Sequence, residues 1–173
     1  LYTLSEPSDY YVKAMLFGIT LDPDDDPSTP LTVTYSIVNP NSIFAPGYRG
    51  EYFDNPHLNI QTATNGFMDA VDRAFDLWGQ VTGINCVKVT ESDEKVGDIR
   101  IGLTEVGEWA GISLVDIYGL NSSCKDSGDS DIWIENGGGN LAGNWQDGTF
   151  GFATILHEIG HSLGFKHPHS AFS

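Results

Sequence analysis

The residues from His157 to His167 read His-Glu-Ile-Gly-His-Ser-Leu-Gly-Phe-Lys-His. Their types and spacing describe a three-histidine metal site with a carboxylate beside it. On an α-helix, His157 and His161 stand four residues apart and leave one face about a turn from each other. One cation can then take an imidazole nitrogen from both. Glu158 is offset by one residue, beside the metal rather than over it, where it can take the proton of an attacking water. His167 cannot join them if the helix runs on, because ten residues of helix span roughly 15 Å. Gly164 removes the obstacle. Glycine adopts a left-handed backbone without steric cost, so it can end the helix and turn the chain back. Three neutral imidazoles leave a fourth position open, the arrangement of a catalytic zinc. The full set of three histidines, a glutamate and a glycine is far more specific than His-Glu-x-x-His alone.

The motif needs a helix to carry it. Asp147 or Thr149 supplies a start signal, and the apolar run behind it predicts a helix of about fifteen residues. A second helix is predicted from Thr62 or Thr64 to Trp78, where Phe67, Ala70, Val71, Ala74, Leu77 and Trp78 recur at helical spacing. That stripe reads as core. Strands are expected at 31–38, 84–90, 98–103, Ala110–Ile117 and Asp131–Glu135, separated by loops rich in Pro, Asn and Gly. The fold class is therefore α+β: a twisted mixed sheet of about five strands backed by two long helices, the second carrying the metal motif. The 173 residues fit one domain, 1–173.

At these residues the chain resembles the metzincin metallopeptidases, whose elongated zinc motif has this form. Pro168, after the third histidine, is similar to the serralysin branch. The segments Leu31–Ser36, Ala70–Trp78, Val81–Ile84, Gly97–Gly102 and Ser130–Ile134 resemble that family's strands and first helix, and Asp9–Gly18 the stretch before its domain. The resemblance implies a zincin-like catalytic domain of a secreted zinc endopeptidase. His157, His161 and His167 would be the zinc ligands and Glu158 the general base. It also implies that Gly107–Leu114 forms an antiparallel edge strand against which a peptide lies, with Ala110, Gly111 and Ile112 binding substrate. The family's methionine turn follows the third histidine, yet both methionines here, Met15 and Met68, precede it. The C-terminal subdomain and calcium-binding repeats are likewise not in this sequence. A second expectation is thus a truncated or processed zinc-binding fragment with little activity of its own.

The net charge of −16 repels nucleic acid and anionic membranes. It leaves protein or peptide substrates as the expected partners of a monomer. No apolar run reaches transmembrane length. Cys86 and Cys124 allow one disulfide, natural in a secreted hydrolase, or two buried thiols. The acidic stretch Asp22–Asp26 can bind calcium through clustered oxygens or stand as a solvated loop. His57 and His169 lie outside the motif and are not expected to be ligands.

Overall fold

The computed structural model describes residues 2–3, 19–20, 31–44, 59–92, 95–105, 110–115, 130–136 and 143–167. Strands β1 (Tyr2–Thr3) and β2 (Ile19–Thr20) form a small antiparallel pair. The main sheet contains β3 (Thr32–Ile37), β4 (Asn85–Lys88), β5 (Ile99–Thr104), β6 (Gly111–Val115) and β7 (Ser130–Glu135). Its order is β4-β3-β5-β7-β6. The first four in that order are mutually parallel, and β6 runs antiparallel to β7 at the edge. Among the described residues two helices pack with the sheet, α1 (Asn65–Thr82) and α2 (Phe150–Ser162). The class is α+β with a mixed five-stranded sheet and two helices.

Helix α1 begins where Thr64, in extended backbone, accepts the N–H of Phe67 through its hydroxyl. That cap satisfies a donor the helix cannot. The helix runs one turn past Trp78, because its terminator is Gly83, at φ +78°. It buries Phe67, Ala70, Val71, Ala74 and Phe75. Leu77, expected in the core, is 42% exposed. Leu77 and Phe75 sit on opposite flanks of the apolar stripe. The sheet lies on the Phe75 side, where that ring stacks on Tyr35 at 3.9 Å between centroids.

Every residue of β5 and β7 is buried, as expected for central strands covered on both faces. On one face Val33, Tyr35, Ile99, Ile101, Leu103, Ile132 and Ile134 meet both helices. On the other, Val38 and Trp133 pack with Phe44, Ile60 and Ile112. Arg100 interrupts the apolar run of β5 and is fully buried. Its guanidinium pairs with Glu91 at 2.8 Å and lies over the Phe44 ring at 4.2 Å. Ser36 and Ser42 donate their hydroxyls to the same carboxylate.

Among the described residues no helix is long and apolar enough to cross a membrane. Cys86 is half-buried with a free thiol among the described residues. Cys124 itself lies outside the described residues, as do His57, His169, Trp109 and the acidic stretch Asp22–Asp26.

Candidate metal centre

Helix α2 starts at Thr149, whose hydroxyl oxygen accepts the N–H of Phe152 at 3.3 Å and donates to the Gln146 carbonyl. From there the chain buries Phe152, Ile155 and Ile159 against the sheet, which turns His157 outward. The far end closes with two crossed bonds. Phe165 N–H reaches the Gly160 carbonyl at 3.0 Å, and Gly164 N–H reaches that of His161 at 2.9 Å. Gly164 has φ +99°. This is the glycine-terminated reversal that satisfies the last helical carbonyls, and it swings His167 back toward the helix.

The result is convergence. The Nε2 atoms of His157 and His167 lie 2.9 Å apart, those of His157 and His161 3.0 Å, and those of His161 and His167 3.2 Å. Tetrahedral zinc with bonds of 2.0–2.1 Å would hold its ligand nitrogens roughly 3.3 Å from each other. The triangle fits that group with adjustments of a few tenths of an ångström. His161 Nδ1 lies 2.7 Å from the Phe165 carbonyl oxygen. A carbonyl only accepts, so Nδ1 carries the proton and Nε2 presents a bare lone pair, the tautomer a metal needs. Phe165 in turn lies against Trp78, ring centroids 5.3 Å apart, and Trp78 Nε1–H donates to the Leu156 carbonyl at 3.0 Å. Burial lowers the pKa of His157, and the neighbouring His161 and His167 lower it further, which favours the neutral ligand form.

Glu158, the next residue along the helix, is 6% exposed. Burial raises its carboxyl to about 7, against the partial opposition of a hydrogen bond from the Ser113 main-chain N–H. A carboxyl poised near neutrality can both take and return a proton.

Strand β6 lies over this carboxylate. A Cβ built on Gly111 would stand 2.7 Å from Thr154 Cγ2 and 2.9 Å from Glu158 Cγ. Only glycine therefore lets the strand lie so close to α2. The Glu135 N–H donates to the Ala110 carbonyl at 3.0 Å, and Gly111 lies opposite Ile134. Antiparallel alternation then turns the main-chain groups of Ala110 and Ile112 inward to β7, and those of Gly111 and Ser113 away from it, to the side on which no described strand pairs. Of the expected substrate-binding trio Ala110, Gly111 and Ile112, only Gly111 offers its backbone outward. Ile112 packs its side chain with Trp133 on the opposite face. Ser113, within the expected edge segment Gly107–Leu114, shares the orientation of Gly111, as the strand's period of two dictates.

Ser113 also joins a cluster of hydroxyls. Its Oγ lies 2.8 Å from Ser162 Oγ, which lies 2.8 Å from Ser130 Oγ. Ser162 Oγ donates to the Glu158 carbonyl at 3.3 Å. The three histidine nitrogens thus converge, within 4.8 Å of one another, and the hydroxyl cluster joins α2 to β6 and β7 nearby. Comparison with protein-family models and with curated proteins finds no match.

Proposed function

We propose that this chain is a zinc-dependent endopeptidase of metzincin type, nearest in motif to the serralysin branch, secreted and acting on protein or peptide substrates. The observation that carries this reading is the convergence of three imidazole Nε2 atoms within 3.2 Å, with a buried carboxylate and an open strand edge alongside. His157, His161 and His167 would hold a zinc ion, which when bound would supply a Lewis acid for a peptide carbonyl and for water. Glu158 accepts the proton of the attacking water and delivers it to the leaving amine. Gly111 and Ser113 offer outward N–H and C=O groups to an extended peptide backbone, a mode of recognition that tolerates many side chains. The Phe165 carbonyl keeps His161 in the ligand tautomer throughout.

The test is zinc stoichiometry and casein cleavage on one purified sample. Glu158→Ala should retain one zinc and lose about 10²–10⁴-fold in rate. His161→Ala should lose both zinc and cleavage. Normal cleavage by either variant would sink the assignment. One zinc per chain without cleavage by the unaltered chain would instead mark a zinc-binding unit with no peptidase activity of its own.

A further inference from the structure

We propose that Trp78 is a positioning residue for the metal centre. From helix α1 it seats the turn that bears Phe165, and through that turn it holds His161 in the tautomer that binds a cation. The proposal rests on the reading of His157, His161 and His167 as zinc ligands.

The motif leaves a glycine where the indole must go. A Cβ built on Gly160 would stand 2.9 Å from Trp78 Cζ2 and 3.5 Å from Cη2. The first distance is too short for two carbon atoms, so glycine is what opens a slot in α2 for the six-membered ring. Leu156 and Gly160 are four residues apart and share one face of the helix. The indole spans that face. Its Nε1–H donates to the Leu156 carbonyl at 3.0 Å, its ring fills the slot at Gly160, and it meets the Phe165 ring beyond, with centroids 5.3 Å apart and planes tilted by 31°.

Phe165 is committed on both sides of its α-carbon. Its N–H reaches the Gly160 carbonyl at 3.0 Å, and its carbonyl oxygen lies 2.7 Å from His161 Nδ1. Trp78, Gly160 and Phe165 therefore close a ring of contacts, and the ligand hangs from one corner of it. Without the indole, the Phe165 turn loses its seat on α1 and its carbonyl drifts from Nδ1. Hydrogen bonds weaken steeply with misalignment. The proton is then released to exchange with Nε2, the atom that faces the other two histidines.

Zinc affinity of the full chain, measured by chelator competition, tests the path. Trp78→Leu should weaken zinc about 10–100-fold, the usual cost of losing support behind a histidine ligand. Phe165→Ala should do the same. The double variant should be no weaker than the worse single one, because both changes cut one path. Trp78→Phe keeps a ring in the slot and should bind zinc more tightly than Trp78→Leu. Unchanged affinity in Trp78→Leu, or losses that multiply in the double variant, would overturn the proposal. Val71→Ala controls for loss of fold. Val71 is fully buried on α1, and its change should lower Tm and leave zinc affinity alone. A loss of affinity equal to that of Trp78→Leu would reduce Trp78 to a structural role and refute the assignment. Phe165→Ala alters a half-buried turn and carries the test if Trp78→Leu does not fold.

The tautomer is read directly by two-bond nitrogen–proton correlation NMR on the zinc-stripped full chain, above the ordinary histidine value of about 6.5. His161 should carry its proton on Nδ1 in the unaltered chain and give a mixed signal in Trp78→Leu. Identical His161 signals in the two would refute the proposal. This readout needs no zinc. An unaltered chain that binds none, yet shows the tautomer change, would sink the zinc reading and support the role of Trp78 in positioning His161.

Discussion

Gly111→Ala tests the close approach of β6 to the general base. The new Cβ would meet Thr154 Cγ2 at 2.7 Å, Glu158 Cγ at 2.9 Å and Glu158 Oε1 at 3.2 Å. Carbon atoms pack comfortably at about 3.5–4.0 Å, so something must yield by roughly 0.8–1 Å. Thr154 is poorly placed to yield, being 7% exposed with its hydroxyl bonded to the Phe150 carbonyl at 3.0 Å. Glu158, 6% exposed, has little room to yield either. The edge strand, whose one neighbour in the sheet among the described residues is β7, is the element that lifts. Overpacking of this kind costs about 1–3 kcal/mol. For a chain of this size each kcal/mol lowers Tm by roughly 2–4 °C, so a fall of about 2–12 °C is expected.

The effect on rate should exceed the effect on stability. A shift near 1 Å in the strand that presents the peptide costs on the order of 10²-fold in kcat/KM. Zinc stoichiometry should hold, because the ligands come from α2 and the turn beyond it. The assay pairs Tm with casein or peptide kinetics, and Ile101→Val serves as a control. Ile101 is fully buried in β5, and the change should cost about 0.5–1.5 kcal/mol without touching kcat/KM at a temperature where the fold is intact. An alanine variant at position 111 with the unaltered chain's Tm and kcat/KM would refute the reasoning. Equal rate losses in both variants would show that the effect is loss of fold rather than loss of approach.

Two further outcomes follow from the fold. For Glu91, burial raises the carboxyl, and hydrogen bonds from Arg100, Ser42 and Ser36 with the Arg100 charge more than reverse this, leaving it below its ordinary value. The stability it contributes is present above the unfolded value of about 4.3 and is lost as pH falls through the lower folded value. Thermal melts from neutral to acid pH should show that loss, and Glu91→Gln should remove it. An identical acid profile in the variant would exclude Glu91 as its source. Gly164→Ala places a side chain at φ +99°, a conformation costing an L-residue roughly 1–2 kcal/mol. The turn that returns His167 should relax, and chelator competition should show zinc bound at least tenfold more weakly. Unchanged zinc affinity would mean that the turn does not set the third ligand.

Much of the architecture was legible because its signals are local. Thr64 and Thr149 cap their helices through their own hydroxyls, and the five strands fall where β-branched and apolar residues cluster. The metal triad was legible for the same reason, since helix pitch and one glycine suffice to bring its members together. What failed needed knowledge of a partner. Leu77 and Phe75 are equivalent until the sheet is placed against one of them. Arg100 looks like a break in an apolar strand until Glu91 folds over it. Ser113 and Ser162 are 49 positions apart, and nothing in either neighbourhood announces the other.

The chemistry follows the same division. A histidine triad specifies which atoms meet, but not which nitrogen carries the proton. That is decided here by the Phe165 carbonyl, 2.7 Å from His161 Nδ1. The carbonyl is aimed by the reversal at Gly164, in which the Phe165 N–H is bound to Gly160. Its side chain rests on Trp78, a residue of the other helix that also holds the Leu156 carbonyl. A local motif thus depends on packing between α1 and α2 to present its lone pair. Glu158 likewise packs under β6, a strand far away in sequence, where Gly111 leaves it room. The short motif supplies the three imidazoles, and the long-range packing of Phe165 on Trp78 supports the carbonyl that fixes which nitrogen of His161 faces the other two.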